Sequence, residues 1–137
     1  MAYSAYHVAT NEKDFRISTP DLSNFWVTGD YLEGPDAQLF MYFECTTTVR
    51  GFKIKNTNAV NNDRGTDKFS IYTSTSEPPI NDTWTPVLEG NLVDARNVQD
   101  VLVETFVLSN PIETKFIMFQ IDSYFGFGGG LQYFSTF

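Results

Sequence analysis

Few residues in this chain could perform acid–base or covalent chemistry. His7 is the sole imidazole and Cys45 the sole thiol. A hydrolytic triad, a cysteine-built zinc site and an intrachain disulfide therefore find no support. Carboxylate pairs can cleave glycosides without histidine. Here Glu12 with Asp14, and Asp63 with Asp67, read as solvated charges in an acidic protein. The stretch SYFGFGGGLQYFSTF (123–137) carries three consecutive glycines, Gly128, Gly129 and Gly130. A phosphate cradle would need a Lys followed by Ser or Thr, and then a helix; a strand-like segment follows instead. The glycines are expected to supply positive φ and close approach in a corner between strands. The chain is read as non-catalytic.

Binding without chemistry is better provided for. A neutral sugar site needs an aromatic ring against the apolar face of a pyranose and polar groups for its hydroxyls. Three segments offer both: NFWVTGDY with Asn24, Trp26, Asp30 and Tyr31; NTNAVNNDRGTD with Asn61, Asn62, Asp63 and Arg64; and SYFGFGGG with Tyr124, Phe125 and Phe127. Two of these residues have equally good structural readings. Trp26 could plug the core, and Arg64 could serve as an ion-pair partner of Asp63 or Asp67. Phe125 and Phe127 cannot both fit inside a tight corner, so at least one should be exposed.

The elements that must position these groups are strands. QLFMYFECTTTVRGFKIKN (38–56) alternates in two runs and predicts two strands; KFSIYTS (68–74) predicts another. TWTPVLEGNL (83–92) is a strand interrupted by Pro86, hence an edge or a bulge. VETFVLSN (103–110) and KFIMFQIDSY (115–124) follow, the latter apolar on both faces and so central. LQYFSTF (131–137) closes the chain. The first third, rich in turn formers such as Pro20, Asp21, Ser23 and Asn24, predicts loops. Long loops are expected at 56–67 and 75–83. With no sustained helical period, an antiparallel β-sandwich is favoured over a small β-barrel.

Composition narrows the partners. The 137 residues fit one domain, 1–137, and thirteen Phe, seven Tyr and two Trp supply a core. Seventeen acidic against nine basic residues give a formal charge of −8, with no basic run. That field repels nucleic acid and anionic membranes, which leaves neutral or cationic partners. No apolar stretch approaches the length of a membrane span. Cys45, preceded by MYFE, predicts a buried, unreactive thiol.

Taken in order, RGFKIKNTNAVNNDRGTDKFSIYTSTS, TWTPVLEGNL and ETFVLSNPIETKFIMFQIDSYFGFGGGLQYF resemble the discoidin, or coagulation factor 5/8 type C, domain of the galactose-binding-like superfamily over residues 20–137. The fold implied is an eight-stranded antiparallel jelly-roll sandwich. The function implied is a non-catalytic, lectin-like module that recognises a glycan or glycoprotein through loops at one end. Asn24, Trp26, Asp63, Arg64, Tyr124, Phe125 and Phe127 are then the ligand-binding candidates. A protein-interaction or adhesion domain, including a homo-oligomer, is the alternative. Phospholipid binding ranks third, because Lys is scarce near Trp26 and Phe127.

The resemblance also implies a structural Ca²⁺ between an early loop and the last strand. Thr19, Asp21, Asn24 and Gln132 occupy the expected positions, with Thr19 replacing an Asp, Asn24 a Thr and Gln132 a Glu. Those replacements offer oxygens with little charge compensation. The terminal disulfide usual in the family is missing. An extracellular or cell-surface module of a larger protein remains the favoured location over the cytoplasm, and Asn81-Asp82-Thr83 forms a glycosylation acceptor pattern.

Overall fold

The computed structural model describes residues 31–58, 62–75 and 84–137 together with the backbone of Tyr3–Val8 and Trp26–Val27. Eight strands lie among the described residues: β1 (Tyr3–Val8), β2 (Trp26–Val27), β3 (Gln38–Lys55), β4 (Lys68–Ser74), β5 (Thr85–Asn91), β6 (Val103–Ile121), β7 (Gly130–Leu131) and β8 (Tyr133–Thr136). The main sheet runs β1-β3-β6-β4-β5, with β8 also on β3, while β2 and β7 pair separately. All pairings are antiparallel except β1 on β3, which is parallel. This is the sandwich expected from the alternating pattern. The strand β1 was not expected, because its polar surroundings read as loop; His7 lies in it opposite Met41.

Two expected pairs of strands are each a single long one. β3 and β6 form a long antiparallel pair whose register breaks between Tyr42 and Thr47 and again between Val49 and Gly51. Tyr42 faces Phe116 and Thr47 faces Thr114, so β3 carries three more residues than β6 at the first break. Val49 faces Ile112 and Gly51 faces Val107, so β6 carries three more at the second. Ser109, Asn110 and Pro111 sit in this second break. A proline that cannot donate to a ladder is tolerated in a bulge, which is why a turn-like sequence does not end the strand. Cys45 lies in the first break and is exposed, correcting the buried thiol expected from its apolar neighbours.

The breaks let one strand pair serve both layers. The C-terminal half of β6 lies between β3 and β4, as its two apolar faces predicted. Ile117, Phe119 and Ile121 enter the main core, while Phe116 and Met118 are buried on the other side. The other half of the pair carries β8 on β3. A line of rings joins the layers: Phe106 to Phe69 at 5.1 Å, Phe69 to Phe119 at 5.2 Å, Phe119 to Phe134 at 5.8 Å and Phe134 to Phe52 at 5.6 Å. Edge and offset contacts of this kind add to the area they bury. Pro86 lies on the edge strand β5, where the register slips by one residue against Tyr72, as its missing N–H requires.

Phe119 sits in the middle of the ring line. Phe119→Ala should destabilise the domain by about 3–5 kcal/mol, and Phe119→Leu by no more than about 1.5 kcal/mol. Denaturant unfolding measures both, and equal losses for the two variants would contradict the packing described.

Candidate functional site

At one end of the sandwich the loop after β3 and the loop after β6 are zipped together by their backbones. The Gly65 N–H donates to the Gly128 carbonyl (3.0 Å), Phe125 N–H to Gly65 O (2.8 Å), Phe127 N–H to Asp63 O (2.8 Å) and Asp67 N–H to Ser123 O (3.0 Å). Isolated bridges join Arg64 to Gly128 and Thr66 to Tyr124. Two segments that are far apart in sequence thus form one rigid rim. Gly126 has φ +72°, and a Cβ there would strike the Asp63 carbonyl. The three consecutive glycines behave differently from expectation: they are buried, none has positive φ, and Gly129 is needed because Ile121 packs directly against its α-carbon.

Asn56 anchors the rim from below. Its fully buried amide donates to the carbonyls of Thr66 (2.8 Å) and Val93 (3.0 Å) and accepts from the N–H groups of Thr57 (3.0 Å) and Thr66 (2.8 Å). Thr66 passes the connection on, since its hydroxyl donates to the Gly130 carbonyl at 2.7 Å. A buried amide with all four bonds made is stabilising, whereas its removal strands the groups it served.

Among the expected ligand residues, Asp63, Arg64, Tyr124, Phe125 and Phe127 are brought together on this rim. Their roles differ. Phe127 is 49% exposed and meets Tyr31, itself 63% exposed, edge to face at 5.8 Å. The Tyr31 N–H donates to the Phe127 carbonyl at 2.6 Å, which fixes the pair. Tyr124 leans its ring against the main core. Arg64 is 7% exposed and its guanidinium lies 3.0 Å from the Asp63 carboxylate, so the ion-pair reading of Arg64 is what the geometry displays. Phe125 is half-buried beneath the guanidinium of Arg96, 5.5 Å from its ring centre. Asn24 lies outside the described residues; Trp26 contributes described backbone only, opposite Leu131.

The turn carrying Arg96 was missed. Arg96 is gripped by both oxygens of Asp94, at 3.0 and 2.8 Å. Asn97 exchanges hydrogen bonds with Asn62, donating its N–H at 2.7 Å and accepting at 2.5 Å. Both asparagines hold positive φ, a region they tolerate better than most residues. Asp-Ala-Arg-Asn is legible as a turn, yet nothing in the sequence says that it leans on Phe125. Tyr31 stood among the polar loop groups but was not linked to Phe127.

Among the metal-site expectations, Thr19, Asp21 and Asn24 lie outside the described residues. Gln132 is 1% exposed, and neither polar atom of its side-chain amide has a hydrogen-bond partner among the described residues. An orphaned buried amide needs a partner, and its oxygen suits a hard cation, although it brings no charge. Among the described residues no three His, Cys, Asp or Glu side chains gather as a metal site. No described helix is long and apolar enough to cross a membrane.

With this geometry in hand, comparison with known proteins gives a fold and no closer relative. No protein-family model matches the sequence, and no curated protein matches it. Solved structures do. The chain superposes on the family 32 carbohydrate-binding module of Clostridium perfringens NanJ in complex with galactose, with TM-score 0.66 and 17% identity over 85% of this chain and 77% of that one. A second C. perfringens module, solved with GalNAc-β-1,3-galactose, gives 0.65 and 14% over the same shares of the two chains. Chitosan-binding module 1, from a chitosanase/glucanase of Paenibacillus sp. IK-5, gives 0.61 and 15% over 93% and 95%. The protein therefore shares the β-sandwich fold of these modules.

Two outcomes test this site. Asn56→Ala should lower stability by about 2–5 kcal/mol, because several buried backbone groups lose their partner at once; a thermal midpoint unchanged from wild type would remove Asn56 as the anchor. Acidification tests the neighbouring turn. The Arg96 hydrogen bond holds the Asp94 carboxyl below its usual range. The pair's stabilisation is therefore complete above the ordinary aspartate pKa and is lost as pH falls through the lowered one. NMR should show the Arg96 side chain leaving the Phe125 ring over that lower window, and an Arg96 signal indifferent to acid would contradict the assignment.

Proposed function

We propose that the protein is a non-catalytic carbohydrate-binding module that takes a neutral glycan on the rim formed by residues 31, 62–66 and 124–128. The carrying observation is the Tyr31–Phe127 pair: two largely exposed rings, pinned by a backbone hydrogen bond, beside the Asp63–Arg64 ion pair. An aromatic face held still loses little entropy when a sugar stacks on it, and the nearby carboxylate, guanidinium and amide groups can meet hydroxyls. Similarity of fold to modules solved with galactose and with a galactosamine-containing disaccharide supports the same reading. Asn24 and Trp26 are proposed for the site on the sequence resemblance alone. Arg64 acts within it chiefly by holding Asp63.

A structural Ca²⁺ forms the second part of the proposal, favoured by the buried unpartnered amide of Gln132. Gln132 would supply one neutral oxygen, with Thr19, Asp21 and Asn24 as the other candidates. An extracellular or cell-surface setting within a larger protein suits a weak single sugar site that gains avidity from its neighbours.

A glycan panel run with and without EDTA tests both parts. Terminal galactose or N-acetylgalactosamine ligands should bind saturably, and Phe127→Ala should weaken them by about tenfold or more, the equivalent of ~1.4 kcal/mol of stacking. Val107→Ala, at an exposed position on β6 away from the rim, should not. Absence of saturable binding to any glycan, or indifference to Phe127→Ala, would refute the site. If EDTA leaves the thermal midpoint unmoved, the calcium part fails alone.

A further inference from the structure

The connection from β5 to β6 holds an anomaly that the glycan reading leaves untouched. Residues 98–103 run Val-Gln-Asp-Val-Leu-Val, four aliphatic side chains in six at the surface, where connecting segments are ordinarily polar. Val93 and Leu102 are 70% and 77% exposed, and Val98 and Val103 are also exposed. Isolated exposed apolar residues mean nothing, but contiguous ones mark contact surfaces. These are contiguous: Val93, Ala95, Val98, Val101 and Leu102 line a concave cavity of about 210 Å³.

The floor of this cavity is fixed. Glu104 accepts the Val93 N–H at 3.1 Å, Val93 O is held by Asn56, and the carbonyls of Ala95 and Val98 both accept from the side-chain amide of Asn58. The lining residues that carry charge are Asp94, Asp100 and Glu104, all acidic. Arg96 already meets Asp94, which leaves Asp100 and Glu104 to set the sign of the cavity. Burial raises the Glu104 carboxyl above its usual range, a penalty that a bound cation would offset.

We propose that this cavity is a docking site for a basic peptide segment, one that inserts a single aliphatic side chain between Val98 and Leu102 and sets a flanking Lys or Arg against Asp100 and Glu104. Volume argues for a side chain over a free small molecule: about 210 Å³ falls below the roughly 300–1,000 Å³ of ordinary small-molecule sites. Charge argues for a basic partner over a second copy. The chain carries −8 overall, so two copies repel while cationic segments are drawn in. The site shares only the Asp94–Arg96 pair with the glycan rim and does not depend on that reading.

Three blocked pentapeptides, Gly-Lys-Leu-Lys-Gly, Gly-Glu-Leu-Glu-Gly and Gly-Lys-Ser-Lys-Gly, titrated into the isotope-labelled protein and followed by NMR, test it. The Lys-Leu-Lys peptide should shift the amides of 93–104 saturably, with a dissociation constant of about 1 mM or below, and the other two should bind at least about fivefold more weakly. Leu102→Ser and Asp100→Asn, both at exposed positions where folding is not at stake, should each weaken it by about threefold or more. Val107→Ser should leave it unchanged. Equal binding of the Lys-Ser-Lys peptide would reduce the effect to charge attraction, and equal binding of the Glu-Leu-Glu peptide to apolar contact; either result overturns the proposal. So does a failure of the Lys-Leu-Lys peptide to shift 93–104 at about 10 mM. Concentration-dependent dimerisation in sedimentation that Leu102→Asp abolishes would assign the surface to a second copy instead.

Discussion

The side-chain amide of Asn56 is the point on which the functional end of this molecule depends. One buried group satisfies backbone atoms from the loop after β3 and from the turn after β5, and through Thr66 it reaches β7. In a low-dielectric interior such bonds are strong when complete and expensive when broken. The amide bonds to Thr66 of the rim and to Val93 of the aliphatic cavity, so both are held to one frame. The rim's aromatic pair can then be exposed without being loose, which a surface meant for stacking requires.

That frame rests in turn on the long antiparallel pair of β3 and β6. Each of these strands contributes to both layers, and the line of phenylalanines from Phe106 to Phe52 fills the space between them. Loops next to these strands inherit their geometry. The segment 62–66 leads into β4 and 122–128 leaves β6, and the antiparallel bridge of Thr66 with Tyr124 continues the register of the β4–β6 ladder.

Much of the architecture was legible because alternation reports burial directly. KFSIYTS became β4 with the stated bounds, Pro86 marked an edge, and the two-faced apolar run at 115–121 proved central. The failures share one cause. Asn110-Pro111 and Glu44-Cys45 look like interruptions locally, and only the partner strand decides whether an interruption ends a strand or bulges from it. The same limit hid β1, whose pairing depends on β3, and exposed Cys45. At the site, residue types pointed to Phe127 and to an Asp63–Arg64 pair, but the contacts of Tyr31 with Phe127 and of Arg96 with Phe125 join segments about thirty residues apart or more. No local pattern carries that information.

The two register breaks between β3 and β6 have a meaning for how such a chain can vary. Three surplus residues on β3 are followed by three on β6, so the ladder from Gly51 onward stands in the same frame as the one from Gln38 to Tyr42. The two offsets therefore cancel along the pair, while each break on its own is a place where residues can be stored. An insertion between Phe52 and Ile54 would turn one of the two outward, since side chains alternate with a period of two. One within Glu44–Thr46, already outside the ladder, would be absorbed locally. The β3–β6 pair thus separates positions that can absorb a change of length from those at which the count must be kept.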